Sequence, residues 1–201
     1  MKNKFLALLL SVCTLPAFAD FSGSVGYTSD YMWRGVSQSM GSGAMQIDLM
    51  LEKNGLYGGV WASQVDFADE ATYEMDFYGG YKLNLSDKWS VDVGVLQYNW
   101  DKGYDDVEEL FVKSNFKNVS FAYYVDLDDS DRDYMEVGLG LPFIKFVDVS
   151  INYGMFDSEN DFWAMNMVKS LGNWDISLYM TEDVRQDQFL DNASLGLYYN
   201  F

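Results

Sequence analysis

The feature that most constrains this chain is a period-two alternation of side chains, which recurs along almost its whole length after residue 20. Odd positions from Phe21 to Trp33 are largely aromatic or apolar, whereas even positions from Ser22 to Arg34 are mostly small or polar. Successive side chains of a β-strand point to opposite faces. The alternation therefore predicts strands with one apolar face and one polar face.

Twelve such segments are predicted, and ten is the alternative because the runs at 56–66 and 161–171 alternate less cleanly. The predicted strands cover residues 21–34, 45–52, 56–66, 73–82, 89–100, 107–116, 119–126, 134–142, 147–155, 161–171, 174–182 and 193–201. Most of them have about the 9–11 residues of a transmembrane strand. Short turns near lysines alternate with longer or more acidic connections, as an up-and-down barrel with a periplasmic rim and an outer rim requires.

A soluble β-sandwich would also alternate, so a membrane barrel needs further support. The polar face here is rich in Gly, Ser and Asp, which suits a crowded or wet lumen. The apolar face of the clean strands carries no charge, as a lipid-facing surface requires, because a charge at the bilayer midplane costs ~2–4 kcal/mol. We therefore predict an all-β, transmembrane, antiparallel up-and-down β-barrel.

The first 19 residues read as an export signal. Two lysines precede the apolar run 5–12, and Ala17 and Ala19 form the small-x-small pattern of a cleavage site. A membrane anchor is the alternative, but the run is too short to span a bilayer as a helix. Lipidation at Cys13 is disfavoured because bulky Val12 precedes it. We expect residues 1–19 to be removed, and the protein to reach the outer membrane.

The remaining chain, residues 20–201, is long enough for one barrel domain. It carries 11 basic and 31 acidic residues, which disfavours nucleic acid as a partner because phosphate binding needs clustered Lys and Arg. It has no Cys, which excludes disulfides and thiolate metal sites. The chain has no His, the usual general base of outer-membrane hydrolases, so we expect no enzyme activity, metal or cofactor.

The chain ends in Tyr199 and Phe201 at alternate positions. This end resembles the last strand of outer-membrane barrels, which typically finishes in a Phe with apolar residues at alternate positions before it. The resemblance implies that Tyr199 and Phe201 form an assembly signal that is read by the barrel assembly machinery.

Three segments carry a resemblance to a specific family. They are SDYMWRGVSQS at 29–39, GLYGGVWASQVDF at 55–67 and EMDFYGGYKLNL at 74–85. With these segments the chain resembles the TorF-like porins of proteobacteria. The resemblance implies an outer-membrane barrel of porin type and says little about the solute.

Strand parity selects the side chains that face the lumen. The candidates are Asp30, Arg34, Asp48, Glu74, Asp76, Lys82, Asp92, Glu136 and Asp148. Inward acids outnumber the inward basic residues Arg34, Lys82 and Lys113, which predicts a lumen that favours cations. Arg34 near the outer rim either shapes a constriction, with Asp30 four residues earlier on the same face, or lies in a buried ion-pair network that plugs the barrel.

Two functions follow from this interior. One is a passive channel for small hydrophilic solutes. The other is a non-conducting structural or surface-binding barrel, because inward tyrosines could fill a narrow lumen. The acidic segment 126–133 departs from a calcium-binding loop signature and is interpreted as a solvated outer loop. We expect the surrounding partners to be outer-membrane lipid and lipopolysaccharide.

Overall fold

The computed structural model describes residues 19–68, 70–156, 161–184 and 192–201. The predicted export signal therefore lies outside the described residues except for Ala19. Among the described residues, no helix has the length and apolar character needed to cross a membrane.

Fourteen strands and one 3-10 turn make up the described structure. The strands are β1 (Asp20–Thr28), β2 (Met32–Trp33), β3 (Val36–Ser37), β4 (Ala44–Lys53), β5 (Leu56–Gln64), β6 (Tyr73–Ser86), β7 (Trp89–Trp100), β8 (Val107–Phe116), β9 (Val119–Asp126), β10 (Tyr134–Gly140), β11 (Asp148–Phe156), β12 (Phe162–Leu171), β13 (Trp174–Asp183) and β14 (Asn192–Asn200). The 3-10 turn, Ser130–Arg132, lies between β9 and β10.

Twelve of these strands form one closed antiparallel barrel, and β2 with β3 forms a separate hairpin. Each barrel strand pairs with its neighbours in chain order, and β1 closes the cylinder by pairing with both β4 and β14. Gly26 of β1, for example, is opposite Gln46 on one side and Tyr198 on the other. The twelve-strand up-and-down barrel predicted from the sequence is confirmed, and its closure leaves no unpaired edge in lipid.

The outer surface carries the apolar face of each strand. Met45, Ile47 and Leu49 of β4 are exposed, whereas Ala44 and Gln46, at the alternate positions, are buried inside. The same outward placement holds along the other strands, for example at Phe21, Val25, Tyr81, Leu83, Val93, Leu110, Val112, Phe121, Val137, Leu139, Ile176, Leu195 and Leu197. A surface this apolar is stable in contact with acyl chains and unfavourable in water.

The tryptophans lie in two places. Trp89, Trp163 and Trp174 are about half exposed on the outer surface. Trp33 and Trp100 pack inside the barrel. Trp100 shares its strand face with inward Tyr98, and Trp33 does not belong to a barrel strand.

The two rims have different connections, as the sequence predicts. At one rim, two-residue turns join most hairpins. In one of these turns, Asn54 and Gly55 both have positive φ. A type I′ turn requires this, and it is common in hairpins because its twist matches that of the flanking strands. The other rim carries the longer loops. On that rim, Asp101 accepts hydrogen bonds from the backbone N–H groups of Thr72 and Tyr73. These bonds lower the pKa of Asp101, and the bond from Thr72 has the largest effect.

The first predicted strand, 21–34, is wrong in its second half. β1 ends at Thr28, and residues 29–43, which we call the plug loop, turn into the barrel and carry the hairpin β2–β3. Arg34 and Gly35 both have positive φ, 46° and 82°, at the tip of this hairpin. Two consecutive left-handed residues reverse the chain, which no period-two pattern of side chains reveals.

The assignment of a lipid-facing and a lumen-facing side can be tested at two adjacent positions of β4. Leu49→Arg puts a charge into acyl chains and should lower the free energy of unfolding by about 2–4 kcal/mol. Met50→Arg, which points into the cavity described below, should cost much less. Urea titration of both variants in lipid vesicles measures the difference. Equal costs would contradict the assignment of the two faces.

Candidate functional site: the plugged lumen

The plug loop is fixed at its base by hydrogen bonds of Asp30. Its Oδ1 accepts from the hydroxyls of Ser37 at 2.6 Å and Ser39 at 2.9 Å. Its backbone carbonyl accepts from the hydroxyls of Thr28 at 2.9 Å and Ser194 at 2.5 Å. Asp30 therefore ties the two arms of the loop to each other and to the seam where β1 meets β14.

The tip of the plug loop is held by a buried ion pair. Both guanidinium Nη atoms of Arg34 donate to the carboxylate oxygens of Glu109, each at 2.7 Å. The Arg34 and Glu109 side chains are only 6% and 2% exposed, so the pair is dry. The Tyr98 hydroxyl donates to the same carboxylate at 3.0 Å, which satisfies a further acceptor. This fork geometry is the strongest form of Arg–carboxylate contact.

Aromatic rings enclose the same guanidinium. Arg34 Cζ lies 4.4 Å, 4.5 Å and 4.3 Å from the ring centroids of Trp33, Tyr124 and Tyr134. These distances are within the range of cation–π attraction, which is stronger where water is excluded. Tyr124 and Tyr134 of the barrel wall and Trp33 of the plug loop thus form an aromatic cage around the Arg34 guanidinium.

Further contacts join the plug loop to other strands of the barrel wall. Tyr31 packs on Trp61 of β5 with ring centroids 5.1 Å apart, and Trp33 packs against Phe156 of β11 at 6.4 Å. Gly35 lies against Phe162 of β12, whose ring would be only 2.6 Å from a Cβ at this position. The loop therefore spans the lumen near the rim of the longer loops, and only glycine fits at position 35.

A cavity of about 660 Å³ lies against the plug loop inside the barrel. Tyr31, Trp33 and Arg34 of the plug loop contribute to its lining. Its ionisable lining residues are the acids Asp48, Glu52, Asp76, Asp92 and Glu136 and the basic residues Arg34, Lys82 and Lys113. Acidic side chains thus exceed basic ones in the free interior.

Most of these acids are paired with tyrosines rather than with cations. The Tyr78 hydroxyl donates to Asp48 at 2.7 Å, the Tyr57 hydroxyl to Asp92 at 2.8 Å, and the Tyr134 hydroxyl to Glu136 at 2.8 Å. A neutral donor orients a carboxylate and leaves its negative charge in place. The interior is therefore polar, aromatic and negatively charged.

A smaller cavity of about 340 Å³ lies beside the plug loop, next to β1 and β14. Hydroxyl and amide groups dominate its lining, with Gln46, Asn166, Ser177 and Tyr198 among them. The Tyr198 hydroxyl donates to Gln46 at 2.6 Å across this space. Polar side chains therefore line both of the cavities that lie against the plug loop.

The residues proposed from parity fall into three groups. Arg34, Asp48, Asp76, Lys82, Asp92 and Glu136 line the larger cavity. Asp30 and Glu74 are buried, Asp30 within the base of the plug loop and Glu74 in β6. Asp148 lies apart from them, in a depression with Asn118 and Pro142 near the rim of short turns.

One inference about Arg34 needs correction. Arg34 lies inside the barrel because the plug loop folds inward, and not because a strand continues through it. Asp30 binds serine hydroxyls, whereas Arg34 pairs with Glu109. Sequence reasoning did not single out Glu109, although it shares strand and parity with Lys113, which had been assigned to the lumen. The signal that could have found it was therefore present.

The acidic segment 126–133 uses three of its carboxylates within the loop, and one of them, Asp129, accepts from the backbone N–H of Asp131 at 3.1 Å. Asp126 accepts from the backbone N–H groups of Asp128 and Asp129 and pairs with Arg132 at 2.9 Å. Asp133 accepts from the Tyr123 hydroxyl at 2.7 Å and from the N–H of Asp126. In the described part of the chain, no group of three or more acidic, His or Cys side chains is placed to hold a metal ion.

The C-terminal residues proposed as an assembly signal complete the barrel seam. Phe201 exchanges two backbone hydrogen bonds of 3.0 Å with Gly23, and its ring lies 6.1 Å from that of Phe21. Tyr199 packs on Trp174 of the neighbouring strand at 5.1 Å. The last residues therefore pair with the first strand on the outer surface.

A closed twelve-stranded antiparallel barrel with an apolar outside and a polar, aromatic inside has the architecture of a transmembrane β-barrel. Residues 16–185 match the model of a family described as bacterial proteins of unknown function, Gcw_chp, and the chain therefore belongs to that family. A comparison with curated proteins finds no match.

Two solved structures of the KdgM porin share this architecture. The KdgM porin matches with a TM-score of 0.66 at 10% identity, over 90% of this chain and 99% of that one. The KdgM porin in complex with disordered oligogalacturonate matches with a TM-score of 0.67 at 10% identity, over the same shares. At this identity the likeness shows a common fold.

The ion pair at the plug tip should be a major stabilising contact. Arg34→Ala leaves the Glu109 carboxylate buried and unpaired, which should lower the free energy of unfolding by about 3–5 kcal/mol. Arg34→Ala combined with Glu109→Ala should recover part of this loss, because no buried charge then remains. Thermal unfolding of the refolded barrels measures both. If the double variant were as unstable as the sum of the single variants, the coupling would be refuted.

Proposed function

We propose that this protein is an outer-membrane channel of porin type for small hydrophilic solutes, with a preference for cations, and that it belongs with the TorF-like porins. The observation that carries the proposal is the 660 Å³ cavity inside the closed barrel, which is lined by charged and aromatic side chains. Ion selectivity in pores follows the sign of the charges that line them. Five acids against three basic side chains favour cations in this cavity.

The plug loop sets the narrowest point of the proposed path. It carries one basic side chain in the ion pair with Glu109, and its rings contact several strands of the wall. A solute passing the loop has to use the space beside these contacts, which limits the path to small solutes. Porin-like barrels with an infolded loop conduct only through what that loop leaves free.

The class of solute is expected to differ from the one seen with the KdgM porin. Oligogalacturonate, named in that complex, is a polyanion. The lumen of this chain has an excess of carboxylates, which would repel a polyanion. Small neutral or cationic solutes fit the electrostatics of this lumen better. A channel also accounts for the interior better than an enzyme does.

A non-conducting barrel is the second candidate, and the wall-to-wall contacts of the plug loop favour it. In that function the loop stiffens the cylinder, and the rims carry the interactions with lipid and lipopolysaccharide. The export signal at 1–19 and the assembly signal at Tyr199 and Phe201 serve both candidates, since each requires delivery to the outer membrane by the barrel assembly machinery.

Conductance in planar bilayers separates the two candidates. The wild-type channel should show discrete steps and a reversal potential of cation-selective sign. Asp48→Asn combined with Asp92→Asn should reduce the cation selectivity, because both carboxylates line the cavity and neither is part of the plug contacts. Asp148→Asn, outside that cavity, serves as the matched control and should leave selectivity unchanged.

Arg34→Ala adds a second criterion. In a channel, releasing the plug tip should increase the size or number of conductance steps. In a non-conducting barrel, the same change should lower thermal stability without producing current. The absence of any current above baseline from both the wild type and Arg34→Ala would overturn the channel proposal.

A further inference from the structure

Two buried carboxylates beside the plug loop have no cationic partner. Glu74 and Asp76 of β6 are 3% and 6% exposed, and they point inward from the same strand face. Within the described residues, the ion pairs are those of Arg34 and Arg132, and neither includes Glu74 or Asp76. A buried charge without a partner carries a desolvation cost of several kcal/mol.

Unsatisfied polar atoms concentrate in the same patch. Glu74 Oε2 and Asp76 Oδ1 are buried without a hydrogen-bond partner, and so is the Trp100 indole N–H. Glu74 is directly opposite Trp100 in the β6–β7 ladder, and Asp76 is opposite Tyr98. Native proteins rarely leave such atoms unpaired unless water or an ion satisfies them.

The negative charge of this patch exceeds what the plug loop can compensate. Glu74 and, less strongly, Glu109 both act electrostatically on Asp76. Arg34 binds Glu109 with both of its Nη atoms, so its charge is already engaged. Tyr31, the neighbour of Glu74 and Asp76 on the plug loop, contributes a neutral hydroxyl. As carboxylates, Glu74 and Asp76 would therefore place two negative charges in a largely buried patch that holds no compensating cation in the described structure.

We propose that Glu74 and Asp76 bind a calcium ion between the barrel wall and the plug loop. The available ligand atoms are all oxygens, which suits a hard cation, and two carboxylates neutralise a divalent charge. Calcium accepts irregular, partly bidentate carboxylate coordination, whereas magnesium demands near-octahedral geometry. Calcium binding at Glu74 and Asp76 does not require the barrel to conduct.

The remaining ligands are within reach of the same patch. Two carboxylates supply up to four oxygens, and calcium takes about six to eight. The Tyr31 hydroxyl is a further oxygen, and water can enter from the cavity that Asp76 and Tyr31 both line. A coordinated water also offers an oxygen to the Trp100 N–H, which explains the third unpaired atom.

The ion would add a further contact between the plug loop and the wall. Arg34–Glu109 fixes the tip of the loop to β8, whereas a calcium ion at Glu74 and Asp76 would fix Tyr31 to β6. Removing the ion should therefore loosen the base of the hairpin while the ion pair at its tip persists.

Terbium luminescence tests the site directly, because terbium replaces calcium and its emission is sensitised by nearby aromatic rings. Purified barrel in detergent micelles, stripped with chelator, should show saturable sensitised emission that calcium displaces. Glu74→Gln combined with Asp76→Asn should abolish that emission. Asp128→Asn combined with Asp131→Asn, in the outer acidic loop, is the matched control and should retain it. Calcium should also raise the unfolding temperature of the wild type and not of the Glu74→Gln, Asp76→Asn variant.

Two results would overturn the proposal. Emission that persists in the Glu74→Gln, Asp76→Asn variant and disappears in the loop variant would place the ion at the outer rim. An absence of saturable emission in the wild type would mean that protons or water satisfy the two carboxylates. Glu74→Gln alone provides the same comparison if the double variant does not refold. Since none of these readouts is a current, they remain interpretable even if the channel proposal fails.

Discussion

The structure depends on one constraint, which is that no backbone N–H or C=O group can remain unpaired in contact with acyl chains. Closure of β1 on β14 satisfies this requirement, and it forces every strand to present one face outward and one inward. The outward face must be apolar because it contacts acyl chains, which is why Met45, Ile47 and Leu49 are exposed. The inward face has no such uniform requirement, and the specific character of this protein lies there.

A twelve-stranded cylinder is wider than the eight-stranded barrels whose side chains alone can fill the interior. The chain compensates by turning residues 29–43 into the lumen near one rim. Bringing polar backbone and a guanidinium into that space is costly unless each group is paired. Asp30, Glu109 and the aromatic rings around Arg34 supply those partners, so electrostatics and hydrogen bonds hold the loop together with the packing of Tyr31 and Trp33.

The sequence predicts the barrel well because lipid enforces alternation on every strand. The same alternation misleads at 29–34, where residues of the plug loop happen to continue the pattern of β1 after the strand has ended. Positive φ at Arg34 and Gly35 depends on packing against the wall and leaves no periodic signal. Parity could identify Glu109 as an inward residue, but it could not show that Glu109 and Arg34 meet, because that contact joins a loop to a strand 75 residues away.

The distribution of charge inside the barrel connects these features. A single arginine enters a wall that presents Glu74, Asp76 and Glu109 near the same rim, and it binds only Glu109. An excess of buried carboxylates is unfavourable for folding, and it is also the feature that would attract cations to the lumen. The position of the plug loop should therefore respond to the cations around it, since a cation bound by Glu74 and Asp76 would hold Tyr31 at the base of the loop while Glu109 holds Arg34 at its tip. A plug held by apolar packing alone would lack this dependence.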